Sequence, residues 1–195
     1  YMALKPDGSR AKEGWVCTSN PDLRKYFADR VIAGVEKGAK SKNASLSPTD
    51  GIGYCVCKRC SAQDDPASIE PSSGKMSMSS RYVDFFNEIG TRVAEKYPDS
   101  ILSFYCYADY TQTPTKFQGK LSPNLCAYIA PLRYCRIHTI GNPICQSRIQ
   151  QKDMMDGWAK IADKLGYYAY MYHCAEATVP FSQISRCKVD FPYLA

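Results

Sequence analysis

A carboxylate and three thiols crowd one short stretch of this chain. The segment runs Ser45-Leu46-Ser47-Pro48-Thr49-Asp50-Gly51-Ile52-Gly53-Tyr54-Cys55-Val56-Cys57-Lys58-Arg59-Cys60. A short apolar strand leads into Asp50, two glycines follow, and the cysteines come at C-x-C-x-x-C spacing. Parallel α/β folds keep their chemistry where strands end, so Asp50 stands where a catalytic acid would. The plainer reading is that Asp50 caps its own turn through Gly51. Cys55, Cys57 and Cys60 would pin the loop beyond it, through a metal or a disulfide.

The elements that would position these groups can be read from period and punctuation. Asn20-Pro21-Asp22 is a helix start, with an N-cap side chain, proline at the first helical position and an acid at the positive end of the dipole. Leu23, Phe27, Val31 and Val35 share one face, and Gly38 ends that helix. Ala44 to Thr49 reads as a strand. Residues 51–77 form a loop insertion rich in Gly, Pro, Ser and Cys. Tyr82, Phe85, Phe86, Ile89 and Val93 mark a second helix that stops before Pro98. Ile101 to Tyr107 and Leu125 to Ala130 are apolar runs of buried parallel-strand type. Residues 108–123 and 131–150 read as loops. Met154, Trp158, Ile161 and Leu165 mark a third helix, closed by Gly166. Tyr167 to Tyr172 reads as a last strand, and the tail to Ala195 has no clear period.

Strands separated by helices imply parallel pairing with right-handed crossovers. Four strands are too few for an eight-stranded barrel and fit half of one, or a small open sheet. In both cases functional groups belong just past the strand ends. Those positions are Asp50, Tyr107 to Tyr110, Pro131 to Arg136, and His173 to Glu176.

Composition bounds the function. The 195 residues suit one domain, and 45% apolar residues suffice for a core. The net charge of +6 is dispersed among acids on helix faces, which argues against nucleic acid as a partner. No apolar run is long enough to span a membrane. Fifteen tyrosines supply flat rings with hydroxyls, suited to sugars or to core margins. Of the ten cysteines, Cys106, Cys126 and Cys174 lie in strand-like runs and read as small buried hydrophobes. The rest lie in loops or at element ends, and an oxidising compartment is favoured. Cys135 and Cys145, ten apart across a Pro/Gly loop, suit a local disulfide. The opening Tyr1-Met2-Ala3-Leu4-Lys5-Pro6 reads as the interior of a longer polypeptide.

The chain resembles a family catalogued as a domain of unknown function and related to α-glucuronidase and β-N-acetylhexosaminidase barrels. The resemblance rests on Trp15-Val16-Cys17-Thr18-Ser19-Asn20-Pro21, on the Asp50 and cysteine segment, on Tyr107-Ala108-Asp109-Tyr110-Thr111 with Pro114, and on Asp156-Gly157-Trp158 before Tyr168-Ala169-Tyr170. It implies an α/β fold of (β/α)8 TIM-barrel type. Residues 1–195 would be a single partial barrel domain covering its middle and later βα units, from the third strand's exit to beyond the seventh strand. The rest of the same polypeptide would complete it. It also implies a secreted or periplasmic protein acting on oligosaccharides or polysaccharides, some relatives resembling endo-β-N-acetylglucosaminidases.

On that map Asp50 is the proton donor at the fourth strand's exit. Glycoside hydrolysis needs a second carboxyl group. Glu176, past the seventh strand, is one candidate, with a solvated loop residue as its alternative. Asp109, at the fifth strand's exit, is the other, and would suit orienting a substrate acetamido group. Arg133 and His173 would contact substrate, and Tyr107 and Tyr110, with Tyr105 and Tyr172, would stack on sugar rings. No cofactor is expected for catalysis. Cys17, Cys55, Cys57 and Cys60 are read first as a closed structural zinc site, with disulfide pairing of Cys17 as the rival. Two other readings stand against an enzyme: a carbohydrate-binding barrel without catalysis, and a zinc-stabilised interaction module.

Overall fold

The computed structural model describes residues 1–37, 43–170 and 182–195. Helix α1 (Pro21–Glu36) starts at Asn20, whose side chain accepts the Leu23 N–H at 3.0 Å. Strand β1 (Ala44–Ser45) follows. Helix α2 (Lys58–Ser61) is a single turn, and β2 (Ile69–Glu70) and β3 (Lys75–Met76) form a small antiparallel hairpin. Then come helix α3 (Ser79–Ala94), strand β4 (Leu102–Tyr107), a 3-10 turn (Ala108–Tyr110) and strand β5 (Leu125–Ala130). Helix α4 (Gln146–Ile161), strand β6 (Leu165–Tyr167) and helix α5 (Ile184–Leu194) complete the order.

The fold is mixed α/β. Four parallel strands lie in the order β1-β4-β5-β6, which is also their order along the chain. Alternation along β4 and β5 divides the sheet into two faces. Leu102, Phe104, Cys106, Leu125, Ala127 and Ile129 are buried beneath the helices. Phe104 stacks on Phe86 of α3 at 4.5 Å and meets Trp158 of α4 at 6.1 Å. The close approach of α3 requires Gly90, where a Cβ would stand 2.8 Å from the Leu125 side chain. Helix α1 lies on α3 through the Phe27–Phe85 ring pair, and Arg24 reaches Glu88 and Asp84 at 2.6 and 2.7 Å.

The other face carries Tyr105 and Tyr128, each 39% exposed, with rings 6.1 Å apart. Tyr168 joins them, 5.9 Å from Tyr105. Among the described residues no helix is long and apolar enough to cross a membrane.

Several boundaries differ from those the pattern predicts, each for a local reason. The first strand pairs only through Ser45, although Leu46 N–H still reaches Ser103 O at 2.8 Å. Beyond it the Ser47 hydroxyl accepts the Tyr105 N–H at 3.0 Å in place of a backbone carbonyl, and Pro48 has no N–H to donate. The third helix begins eight residues before Met154, inside the expected loop, and ends at Ile161. Gly166 therefore closes no helix: it sits inside β6, where a Cβ would stand 2.5 Å from the Tyr128 ring. The tail, read as aperiodic, forms α5 despite Pro192 within it. The loop over residues 51–77 is not devoid of structure, since it folds α2 and the β2–β3 hairpin. Val16 bridges Met2 antiparallel, outside the four-stranded parallel sheet. Cys106 is buried as expected, whereas Cys126 is half-buried because it lies on the tyrosine face. The expected stop at Gly38 lies outside the described residues, as do Tyr172 and Cys174.

Phe104 joins the sheet to both covering helices. Phe104→Ala is therefore expected to lower the unfolding free energy by about 3–5 kcal/mol, read from the denaturant midpoint at unchanged slope.

Candidate functional site

The strand exits of β1, β4 and β5 meet at one edge of the sheet. Asp50 lies in the bend after β1, and Gly51 takes φ 99° to turn the chain there. Gly53 is required for a different reason: a Cβ at that position would overlap the Trp15 indole. Trp15 in turn packs edge-on against Tyr54 at 5.0 Å.

At the exit of β4, Ala108 takes φ 49°, a left-handed conformation that costs a non-glycine residue about 1–3 kcal/mol. The turn swings Asp109 inward, where it is 3% exposed. Its backbone carbonyl accepts the Met78 N–H at 2.8 Å, and its side chain accepts Arg133 Nη1 at 2.7 Å and the Tyr54 hydroxyl at 3.5 Å. Asp109 pairing, working against partial burial, pushes the Arg133 guanidinium pKa further above its ordinary value. Burial, then the Asp109 charge, raises the Tyr54 hydroxyl well above the usual phenol range, so Tyr54 acts as a donor.

Two adjoining clefts open here. One, of about 210 Å³, is lined by Ser47, Pro48, Asp50, Tyr105, Tyr107, Tyr110, Ala130, Tyr168 and Tyr170. The other, of about 180 Å³, is lined by residues 49–52 and 107–110 with Leu132 and Arg133. Asp50, Tyr107 and Tyr110 face both. Burial and the nearby Asp50 charge raise the Tyr107 hydroxyl. Burial raises Tyr170 to about 12, with smaller contributions from Tyr107 and Tyr168. The arrangement offers one exposed carboxylate, one buried carboxylate neutralised by arginine, and several rings whose hydroxyls stay protonated.

Five of the sequence-derived residues thus come together: Asp50, Tyr107, Asp109, Tyr110 and Arg133. His173 and Glu176 lie outside the described residues.

Glu70 is a member that sequence reasoning missed. It is fully buried, accepts the Tyr134 hydroxyl at 3.1 Å and the Gln112 amide at 3.4 Å, and bonds to the Ser72 hydroxyl. Arg133 Nη1 lies 3.9 Å from Glu70, so one guanidinium answers two buried carboxylates. Nothing in Ile69-Glu70-Pro71 marks it, because apart from Ser72 its partners, Gln112, Arg133 and Tyr134, are more than forty residues away in sequence.

The four cysteines also come together. Cys17, Cys55, Cys57 and Cys60 place their sulfurs within 4.8 Å of one another. Cys17 Sγ lies 3.6 Å from Cys57 Sγ and 3.7 Å from Cys60 Sγ. A disulfide would hold such a pair at about 2.05 Å. Four thiolates about 2.3 Å from one ion at tetrahedral angles would hold them about 3.8 Å apart. The donor set and spacing fit a closed structural zinc site.

Its surroundings favour a thiolate at Cys57 and oppose one at Cys55 and Cys17, where burial raises the thiol. Leu4 N–H donates to Cys55 Sγ at 3.2 Å, and the Cys60 thiol donates to Ser19 Oγ at 3.2 Å. Burial would raise the Cys57 thiol, but the Cys60 N–H, the Ser19 hydroxyl and the Cys55 and Cys17 thiols together outweigh it and bring it to about 6. Burial takes Cys55 up to about 12, and a bound cation would have to overcome that cost. Among the described residues no two sulfurs are bonded to each other, and Cys135 and Cys145 are free thiols, not the expected disulfide.

The cluster is held against the fold by Arg81, which is 3% exposed. Its Nε donates to Asp64 at 2.7 Å, its Nη2 pairs with the other Asp64 oxygen, and its Nη1 donates to the Cys55 carbonyl at 2.7 Å. Loading with zinc is expected to protect residues 51–62 from proteolysis. Cys57→Ser should lower bound zinc by one equivalent per chain by elemental analysis and abolish that protection.

No curated protein and no solved structure matches the chain. The family described as a domain of unknown function, DUF4838, matches residues 1–194, and the chain belongs to that family.

Proposed function

We propose that this chain is part of a glycoside hydrolase-like domain that cleaves glycans with acid assistance, Asp50 being the proton donor. The observation that carries the reading is the meeting of Asp50, Asp109 and Arg133 with a wall of tyrosines at the carboxyl edge of a parallel sheet. Tyrosine faces match the apolar faces of sugar rings, and their hydroxyls answer sugar hydroxyls. In the proposed step the Asp50 carboxyl gives its proton to the glycosidic oxygen as the bond to the anomeric carbon breaks. Water, its proton passing to the second carboxylate as the new bond forms, or an acetamido oxygen of the substrate then supplies the electron pair to that carbon. Asp109 is held by Arg133 and Tyr54, which suits orienting a polar substituent better than carrying a proton. Glu176 keeps its place in the proposal as the second carboxylate, and His173 as a substrate contact.

We read the sheet as part of a (β/α)8 barrel. Strand order follows chain order, and the described helices that pack on the sheet cover one face, as in a singly wound barrel and unlike a doubly wound sheet. The tyrosine face would then be the barrel interior. Parallel sheets are normally covered on both faces, so the exposure of Tyr105 and Tyr128 supports a completing portion of the same polypeptide. The same reading places the protein in the secreted or periplasmic space, with oligosaccharide or polysaccharide as its partner. The four-cysteine cluster is proposed as a structural zinc site with no part in bond cleavage.

A second reading, a carbohydrate-binding cleft without catalysis, is favoured by one observation: Asp109 is already committed to Arg133. Asp50→Asn separates the two. In the full polypeptide, the enzyme reading expects turnover of a glycan to fall about 100-fold or more, with binding retained within a few-fold by calorimetry. Binding without measurable turnover in the unmutated protein, across a panel of glycans, would establish the second reading.

A further inference from the structure

The loop between β5 and α4 carries a second cluster that the cleft does not use. Cys135, His138 and Cys145 bring their sulfurs and a ring nitrogen within 4.8 Å of one another. Cys135 Sγ lies 3.4 Å from His138 Nδ1. An ion bound tetrahedrally by a thiolate at about 2.3 Å and an imidazole at about 2.0–2.1 Å would set sulfur and nitrogen about 3.6 Å apart. All three residues are half-buried, open enough for an ion to enter.

The backbone that presents them is fixed by other bonds. Cys135 N–H donates to the Ser147 hydroxyl at 2.9 Å. The His138 carbonyl accepts Arg148 Nε at 2.6 Å. The Cys145 carbonyl accepts the Arg148 and Ile149 N–H groups at 2.9 and 3.1 Å, where α4 begins. Arg148 is itself buried, bonded to Gln151 and 3.7 Å from Asp190 of α5. The three ligand atoms therefore converge on a scaffold that needs no ion to assemble. A disulfide between Cys135 and Cys145 would leave the His138 nitrogen, poised beside the sulfur, unexplained.

We propose that Cys135, His138 and Cys145 form a second transition-metal site, separate from the four-cysteine cluster and suited to Zn(II). Two thiolates and one imidazole are a borderline-soft set of the kind zinc takes. Three protein ligands leave the fourth position to water or a small solute ligand. Cys135 lies two residues beyond Arg133, so the ion would also fix the segment that presents that guanidinium to Asp109 and Glu70.

Metal counting tests this without an activity assay. The reduced protein is stripped with chelator, reloaded with Zn(II), desalted and analysed for bound metal. The expected content is two zinc ions per chain, falling to one in Cys135→Ser and, independently, to one in His138→Ala. Cobalt loading should give a thiolate-to-metal absorption band that weakens in Cys135→Ser and persists through the remaining cluster. The four-cysteine reading fails separately: were that cluster empty, the unmutated chain would bind one ion and His138→Ala none. A metal content unchanged by both substitutions would overturn the proposal. So would peptide mapping of the unreduced protein that finds Cys135 bonded to Cys145.

Discussion

The buried Arg81 guanidinium holds the pieces of this molecule in one frame. It sits on α3, grips Asp64 with two nitrogens and donates a third bond to the Cys55 carbonyl. Both partners of the ion pair are almost fully buried, at 4% and 5% side-chain exposure. Removing one partner of such a pair strands the other charge, at a cost of about 3–5 kcal/mol. Lys116 extends the frame by donating to the Asp64 and Ala62 carbonyls. The cysteine loop thereby becomes part of the helix layer, and the helix layer is packed on the sheet. Asp50 and Gly51 lie between these two fixed bodies, with β1 on one side and the cysteine cluster on the other.

The sheet supplies the second constraint. Its helix-covered face is filled by Phe104, Leu102, Leu125 and Ile129, so register is fixed from one side. With register set, side chains beyond the last paired residues, Tyr107 and Ala130, emerge on the same edge. The positive φ of Ala108 bends the chain immediately there. That bend is what makes Asp109 a buried partner of Arg133 and leaves Asp50 as the exposed carboxylate facing both clefts. Two carboxylates in different environments are the starting condition for dividing acid and orienting roles. The difference in burial here follows from backbone geometry, and one arginine is shared between Asp109 and Glu70; the proposed roles rest on that difference.

Much of the frame was legible in the residues. The five apolar positions from Tyr82 to Val93 are all buried at helical spacing, and the runs at 101–107 and 125–130 became paired parallel strands. The C-x-C-x-x-C spacing pointed to a cluster, and the family resemblance added Cys17 to it. What escaped were features decided by distant partners. Glu70 has no local signature, because Tyr134, Gln112 and Arg133 reach it across the fold. The start of α4 at Gln146 was hidden by two polar turns, in which Arg148 and Gln151 are buried and bond to His138 and Tyr167. Gly166 looked like a helix stop, and the Tyr128 ring explains why glycine is needed inside a strand. Cys135 and Cys145 invited a disulfide reading because the sequence shows their separation and not that the His138 ring nitrogen comes within 3.4 Å of Cys135 Sγ.

The central claim is that the edge bearing Asp50 is where a glycosidic bond is held for cleavage. A crystal structure of the full polypeptide with a bound oligosaccharide addresses it most directly. The account predicts a sugar ring stacked on Tyr105, Tyr107 or Tyr168, with the glycosidic oxygen within about 3.2 Å of an Asp50 carboxyl oxygen. A saccharide bound away from the β1 and β4 exits, or one that turns only hydroxyls toward Asp50, would contradict it.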